Sequence, residues 1–133
     1  MGARDLDTIM VVEDEEDIRK IINVALGTVG GFSVEMCASA HEALNVLNDR
    51  QPDLILLDVM MPLMDGPAFL TEFRRQSRHN NIPVIFITAK VQAHEVEAYK
   101  ALGVLGVIAK PFDPLTLPEQ VKTLWQSHIT INS

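Results

Sequence analysis

The stretch 54-LILLDVMMPLMDG-66 ends an apolar run on a carboxylate. Residues 54–57 are all aliphatic and lead directly to Asp58, and Asp65-Gly66 follows seven residues later. A run this short, with no polar residue at alternate positions, is typical of a strand that is covered on both faces. A charge at the end of such a run is costly unless it is paired or solvated. The stretch therefore predicts a buried strand whose last residue either meets solvent or is presented for chemistry.

Four further apolar runs recur along the chain. They are 8-TIMVVE-13, 32-FSVEMC-37, 83-PVIFIT-88 and 104-VLGVIAK-110, and only the run at 32–37 alternates as an edge strand does. Segments with helical spacing lie between and after them, at 15–27, 40–49, 66–77, 91–102 and about 116–128. Strict strand–helix alternation with short connections predicts an α/β fold, a doubly wound parallel sheet with helices on both faces.

Several residues mark where these helices begin and end. Ser39 and Glu42 have the spacing of a capping box, and Gly103 suits the residue after a helix. Asp65-Gly66 favours a turn, in which the glycine allows the bend and the aspartate makes local hydrogen bonds. These signals support helices in the predicted segments.

Size and composition restrict the class of protein. The 133 residues, 47% of them hydrophobic, fit one domain covering 1–133 with a core of about 7–128. A net charge of -7 argues against direct binding to nucleic acid or anionic lipid. No apolar run approaches the roughly 18 residues of a membrane span. The single cysteine, Cys37, allows neither an internal disulfide nor a cysteine-based zinc site. Because the chain offers no membrane span and no disulfide, we expect a soluble protein of the reducing cytoplasm.

The polar residues at the strand ends are the candidates for function. The first predicted strand ends at Glu13-Asp14, the third at Asp58, the fourth at Thr88 and the fifth at Lys110. Ligands of open α/β sheets bind at the carboxyl ends of the strands, so these side chains converge if the strands are adjacent. Three carboxylates suit Mg²⁺, and an ionised aspartate can attack phosphorus to form an aspartyl-phosphate. The lysine and the threonine could then hold the phosphoryl oxygens.

These residues, together with Met61-Pro62, Asp65-Gly66 and Pro111-Phe112, resemble the receiver domain of two-component response regulators over nearly the whole chain. The resemblance implies a flavodoxin-like (βα)5 fold with strand order 2-1-3-4-5. It implies that a histidine kinase or a histidine phosphotransfer protein donates a phosphoryl group to Asp58. It also implies that the protein is a signalling module that phosphorylates itself from small donors when Mg²⁺ is bound, and not an enzyme with turnover.

The same resemblance assigns roles to the other site residues. Glu13, Asp14 and Asp58 would hold Mg²⁺ with the backbone carbonyl of Met60, and Thr88 and Lys110 would bind the phosphoryl group. The Lys110–Pro111 bond would be cis, which an X-Pro bond adopts at low cost.

Three features bear on signalling. Val107 stands where many receivers carry an aromatic residue that rotates on phosphorylation, so that switch does not carry over. We expect the downstream partner on the face of the fourth helix, fifth strand and fifth helix, with Lys90, Tyr99 and Val107 as candidates. In receiver domains the side chains two positions after the acceptor and two after the threonine flank the path of an attacking water, and the resemblance places Met60 and Lys90 there. Neither can orient a water as a carboxylate or amide would, so we expect slow self-dephosphorylation.

Two other functions remain open at this stage. An aspartate-nucleophile phosphatase, as in the haloacid dehalogenase family, needs a second aspartate two residues after the nucleophile, where this chain has Met60. A docking domain that works without phosphorylation is the other alternative, and the complete acceptor set disfavours it. Singly, each acid could also be ordinary: Glu13 and Asp14 as the start of a helix, Asp58 as a solvated strand end.

Overall fold

The computed structural model describes residues 5–76 and 81–132. Five strands alternate with five helices, as the sequence predicts. The strands are β1 (Thr8–Val12), β2 (Ser33–Cys37), β3 (Leu54–Asp58), β4 (Val84–Thr88) and β5 (Gly106–Ala109). The helices are α1 (Glu16–Asn23), α2 (Ala40–Leu47), α3 (Gly66–Arg74), α4 (Ala93–Ala101) and α5 (Leu117–Asn132). Position 77, the predicted end of the third helix, lies outside the described residues.

All five strands form one parallel sheet in the order β2-β1-β3-β4-β5. This is the flavodoxin-like order that the resemblance implied, and β2 is an edge strand as its alternating pattern predicted. The order reverses between β1 and β3, which is the switch point where such sheets bind ligands. The sheet thus places the carboxyl ends of β1 and β3 side by side.

Each face of the sheet has its own hydrophobic core, because side chains of a strand point alternately to opposite faces. Met10, Leu57 and Phe86 face α2 and α3, whose Leu47 and Phe73 are fully or almost fully buried. The opposite cluster joins the other strand residues to helices α1 and α5; it includes Ile9, Val11, Leu56, Ile22, Leu26 and Val121. Both faces are covered, which explains the uninterrupted apolar runs of the central strands.

The first helix differs from the prediction of a single α-helix over 15–27. The α-helix ends at Asn23 and continues as a π-helical segment, Val24–Val29, which places Ala25 and Leu26 in the core. Gly30 closes the segment by donating from its backbone N–H to the carbonyl of Ala25 at 2.9 Å, a bond that spans five residues. The segment stops at the pair Gly30-Gly31, where Gly31 has a φ of 77°.

Of the predicted capping box at Ser39, one of the two hydrogen bonds is present, and the local hydrogen bond predicted for Asp65 is a helix cap. The Ser39 hydroxyl accepts from the Glu42 N–H at 3.1 Å, whereas the Glu42 carboxylate accepts from Ala38 and not from Ser39. The Asp65 side chain caps α3 by accepting from the Ala68 N–H at 2.9 Å.

Gly66 has a different role from the predicted one, because its φ is not positive. A Cβ at this position would lie 2.9 Å from both the Asp58 carbonyl oxygen and the Val59 Cα. The glycine therefore permits α3 to begin directly against the end of β3. The turn itself places Leu63 in the left-handed region, with a φ of 69° and a side chain that is 98% exposed.

Candidate functional site

The predicted site residues lie together at the carboxyl edge of the sheet. Asp58 and Thr88 are the last residues of β3 and β4, and Glu13 and Lys110 directly follow β1 and β5. The side chains of Glu13, Asp58 and Thr88 are buried, and the Lys110 side chain is 16% exposed. In the described part of the chain, these three are the buried polar or charged residues, and all three belong to this site.

Lys110 bridges two of the carboxylates. Its Nζ lies 2.8 Å from Glu13 Oε1 and 3.3 Å from Asp58 Oδ1. One oxygen each from Glu13, Asp14 and Asp58 falls within 4.8 Å of the others. The amino group therefore neutralises part of a three-carboxylate cluster from the side of β5.

The Asp58 carboxyl is the most perturbed group of the cluster. Burial, followed by the repulsion of Glu13 and a hydrogen bond that the protonated Asp58 carboxyl donates to Glu13, raises the pKa of Asp58 from 3.8 to about 7. Lys110 and the Met60 N–H, which donates to Asp58 Oδ1 at 3.2 Å, act in the opposite direction on this pKa. Burial lowers the pKa of Lys110, but its bonds to Glu13 and Asp58 outweigh that effect and raise it. Lys110 therefore stays charged, whereas Asp58 keeps its proton to a higher pH than an ordinary aspartate does.

Thr88 lies beside the acids without capping a helix. Its hydroxyl accepts from the Lys90 N–H at 3.1 Å, and its carbonyl accepts from the Lys110 N–H at 2.9 Å. The helix that follows begins later, at Ala93, with Gln92 as its cap. The hydroxyl proton of Thr88 is thus free to be donated toward a ligand, and Lys90 itself is exposed.

The backbone around Lys110 agrees with the resemblance in one further detail. The Lys110–Pro111 peptide bond is cis, as expected.

Arg19 is a site residue that the sequence analysis did not identify. Its Nη1 donates to the backbone carbonyls of Glu13 at 2.9 Å and of Asp14 at 3.0 Å, so it holds the turn that carries both acids. A signal was present, because Arg19 is the first cation after the five consecutive acids 13-EDEED-17. Arg19 follows Asp14 by five residues.

The donor set fits Mg²⁺. Carboxylate oxygens are the ligands that this hard cation prefers, and three of them converge from two adjacent strand ends. Glu13 Oε1 is fully buried and makes no well-aligned hydrogen bond, although it lies in ion-pair distance of Lys110. A buried carboxylate oxygen in this state favours a second positive charge at the site.

Cys37 is not a competing nucleophile. It is a free, fully buried cysteine, and burial followed by the charges of Glu42 and Glu35 raises the pKa of its thiol to about 12.

Among the described residues, no helix is both long and apolar enough to cross a bilayer.

Comparison with protein families gives a match over most of the chain. The family described as "Response regulator receiver domain" matches residues 9–122. The response regulator Rre1 of Synechocystis is 34% identical over 118 residues, which are 88% of this chain and 51% of that protein. A probable transcriptional regulator, ycf27, of Guillardia theta is 33% identical over 95% of this chain and 52% of its own length. The chain thus spans about half the length of these curated relatives.

Solved structures give the same result over nearly their whole length. The chemotaxis response regulator CheY4 of Vibrio cholerae is 30% identical, with a TM-score of 0.82 over 90% of this chain and 99% of that one. The receiver domain of NtrX from Brucella abortus is 29% identical, with a TM-score of 0.79 over 90% of this chain and 98% of that chain.

Proposed function

This chain belongs to the response regulator receiver domain family of two-component signalling, and we propose that Asp58 is the side chain that accepts its phosphoryl group. One observation carries the assignment. Asp58 ends β3, which lies between β1, whose end carries the other two acids, and β4, which ends at Thr88, and the Lys110 ammonium is 3.3 Å from its carboxylate. Asp14 and Glu13 belong to the strand end beside it and are suited to hold a metal.

The remaining side chains divide the work of the transfer. We propose that Glu13, Asp14, Asp58 and the backbone carbonyl of Met60 hold Mg²⁺, which would keep Asp58 ionised and shield the incoming phosphate charge. An Asp58 oxygen forms the new bond to phosphorus while the bond from phosphorus to the donor breaks, and the donor keeps that electron pair. Thr88 donates its hydroxyl proton to a phosphoryl oxygen, and Lys110 contacts another as a point charge.

Intact mass after incubation with Mg²⁺ and a small acyl phosphate tests the acceptor. We expect one phosphoryl adduct on the wild type and none on Asp58→Asn. Asp65→Asn is the matched control, because it is the same substitution at the other end of the β3–α3 connection and asparagine is also a good helix cap. Labelling of Asp58→Asn at the wild-type level would refute the assignment.

We also propose that the natural donor is a histidine kinase or a histidine phosphotransfer protein. The match to response regulators supports this proposal, and the donor would have to reach Asp58, which is 2% exposed, from the carboxyl edge of the sheet. Phosphoryl transfer from a panel of purified kinases identifies the donor. A cytoplasmic location and a single domain over residues 1–133 are part of the same proposal.

The face formed by α4, β5 and α5 is the proposed surface for the downstream partner. A groove of about 260 Å³ opens there between Val96 and Lys100 of α4, Val107 of β5 and Leu124 of α5. Tyr99 is half-buried and packs edge-on against Phe86 at 5.4 Å between ring centroids. Movement of Thr88 and Lys110 toward a phosphoryl group would change the conformation of this face, since both residues lie at its edge. Amide exchange with and without a phosphoryl mimic should change here before it changes at α1 or α2.

We further propose that the phosphorylated state is long-lived, with a phosphatase or reverse transfer ending the signal. Water must attack the phosphorus, and neither flanking side chain is suited to orient it. Met60 lacks a strong hydrogen-bonding group, and Lys90 offers only a cation.

Two alternatives would be exposed by simple measurements. Many turnovers on a generic phosphate ester would favour a phosphatase, although Met60 occupies the place of the second aspartate such an enzyme needs. Partner binding that is equally tight for wild type and Asp58→Asn, with and without a phosphodonor, would favour a phosphorylation-independent docking domain.

A further inference from the structure

The turn between β1 and α1 presents two acids without the usual helix cap. Glu15 occupies the cap position of α1, and its side chain makes no capping hydrogen bond. The turn is instead tied by side chains that belong to other positions: Glu13 Oε2 accepts from the Glu15 N–H at 3.1 Å, and the half-buried Arg19 binds the two preceding carbonyls. One guanidinium nitrogen therefore fixes consecutive peptide groups, those of Glu13 and Asp14.

We propose that Arg19 is a positioning residue for the metal site, which orients Glu13 and Asp14 before the cation binds. The inference rests on the proposed metal role of these acids. Arg19 does not contact the metal in this scheme. It acts through the backbone from which both ligands project.

The physical reason lies in the repulsion among the acids. Without a cation, Asp14 can rotate away from Glu13 and Asp58 to reduce like-charge repulsion, and the turn would follow it. Two hydrogen bonds from a charged donor, at 2.9 and 3.0 Å, oppose that movement because charge-assisted bonds are stronger than neutral ones. The cation then meets ligands that are already arranged, so less conformational freedom is lost on binding.

The sign of the effect separates positioning from simple charge. Removing a positive charge near a cation site should strengthen Mg²⁺ binding if the charge alone matters. Removing a residue that orients the ligands should weaken it, since loss of an outer partner of metal ligands typically costs about 10- to 100-fold in affinity. The two explanations predict opposite changes for the same substitution.

Isothermal titration with Mg²⁺ on the metal-free protein is the test. Arg19→Met should weaken Mg²⁺ binding by about tenfold or more. Lys20→Met is the matched control, because it removes the same charge from the next residue, whose exposed side chain pairs with Glu16 on the helix surface. The control should bind Mg²⁺ as tightly as the wild type or slightly more tightly. If Arg19→Met does not fold, as judged by circular dichroism, Arg19→Gln and Lys20→Gln give the same comparison with a smaller change.

A third variant separates the inference from the proposal on which it rests. Asp14→Asn should weaken Mg²⁺ binding if the metal site is as proposed. Weakening by Asp14→Asn, with unchanged or tighter binding by Arg19→Met, would overturn the positioning role and leave the metal site intact. Unchanged binding by Asp14→Asn would instead refute the metal site itself.

Discussion

Asp58→Asn should stabilise the metal-free protein while it abolishes the acceptor. The rise in the Asp58 pKa from 3.8 to about 7 corresponds to about 4 kcal/mol of destabilisation when the carboxyl is fully ionised. Asparagine removes the charge that Glu13 repels, and its oxygen can still accept from the Met60 N–H. The raised pKa already includes the attraction of Lys110, whose Nζ lies 3.3 Å from the carboxylate. We therefore expect a gain of up to about 4 kcal/mol in the free energy of unfolding at pH 8.

The gain should depend on pH with a defined sign. A carboxyl whose pKa is higher in the folded state binds its proton more tightly there, so ionisation in the window from about 3.8 to about 7 destabilises the fold as the pH rises. The wild type is relieved of this cost when Asp58 is protonated at low pH. The advantage of Asp58→Asn should thus shrink to roughly half or less between pH 8 and pH 5.

Urea unfolding in the presence of a chelator, at pH 8 and at pH 5, measures both quantities. The difference between the two proteins at each pH cancels the other titrating groups that they share. Added Mg²⁺ should then stabilise the wild type more than the variant, since binding to the native state adds free energy by mass action. A variant that is no more stable than the wild type at pH 8, or whose advantage is the same at both values, would refute this account of the site.

Three further outcomes follow from individual positions. Leu63→Asn should raise the free energy of unfolding by about 0.5–1 kcal/mol in urea melts, because asparagine tolerates the left-handed backbone better and the leucine side chain is exposed; a loss of stability would contradict the strain. Gly66→Ala should cost about 1–3 kcal/mol by overpacking against the end of β3, whereas Gly27→Ala, whose Cβ has 3.7 Å of space, should be neutral or stabilising; equal effects would show that the close approach does not matter. The double substitution Met60→Asn with Lys90→Glu should speed decay of the phosphorylated protein by about tenfold, or roughly 1.4 kcal/mol of barrier, followed by intact mass; decay at the wild-type rate would show that these side chains do not set the lifetime.

The sheet and its chemistry could be predicted because the signals are local. Apolar runs without alternation specify buried strands, and a polar residue at the end of each run marks the carboxyl edge. The edge position of β2 follows from the same reasoning, because the run at 32–37 alternates. The strand order came from the resemblance, since spacing alone does not say which strands are neighbours.

The features that were missed depend on distances across the fold. Arg19 reads as a surface cation on a helix, and only the geometry of the turn places its nitrogen on two carbonyls. The sequence suggests that Gly66 is a turn residue. In the structure a glycine is needed there because the start of α3 approaches the end of β3 too closely for a side chain. The apolar residues Ala25 and Leu26 of the π-helical segment are spaced as they would be in an α-helix. Their pattern therefore predicts that they are buried, but it does not say whether the backbone hydrogen bonds span four or five residues.

The loop between β3 and α3 has a fixed length, because backbone hydrogen bonds hold both of its ends at Val59. The Val59 N–H donates to the Ile87 carbonyl at 3.2 Å, and the Gly66 N–H donates back to the Val59 carbonyl at 3.0 Å. Residues 60–65 therefore form a loop that leaves the sheet after Val59 and is hydrogen-bonded back to Val59 through Gly66. An inserted or deleted residue cannot be absorbed there without moving the start of α3 away from Asp58. Protein engineers who wish to graft a peptide onto this scaffold should use the exposed turn at 48–51, on the opposite edge of the sheet, and keep the length of this loop unchanged.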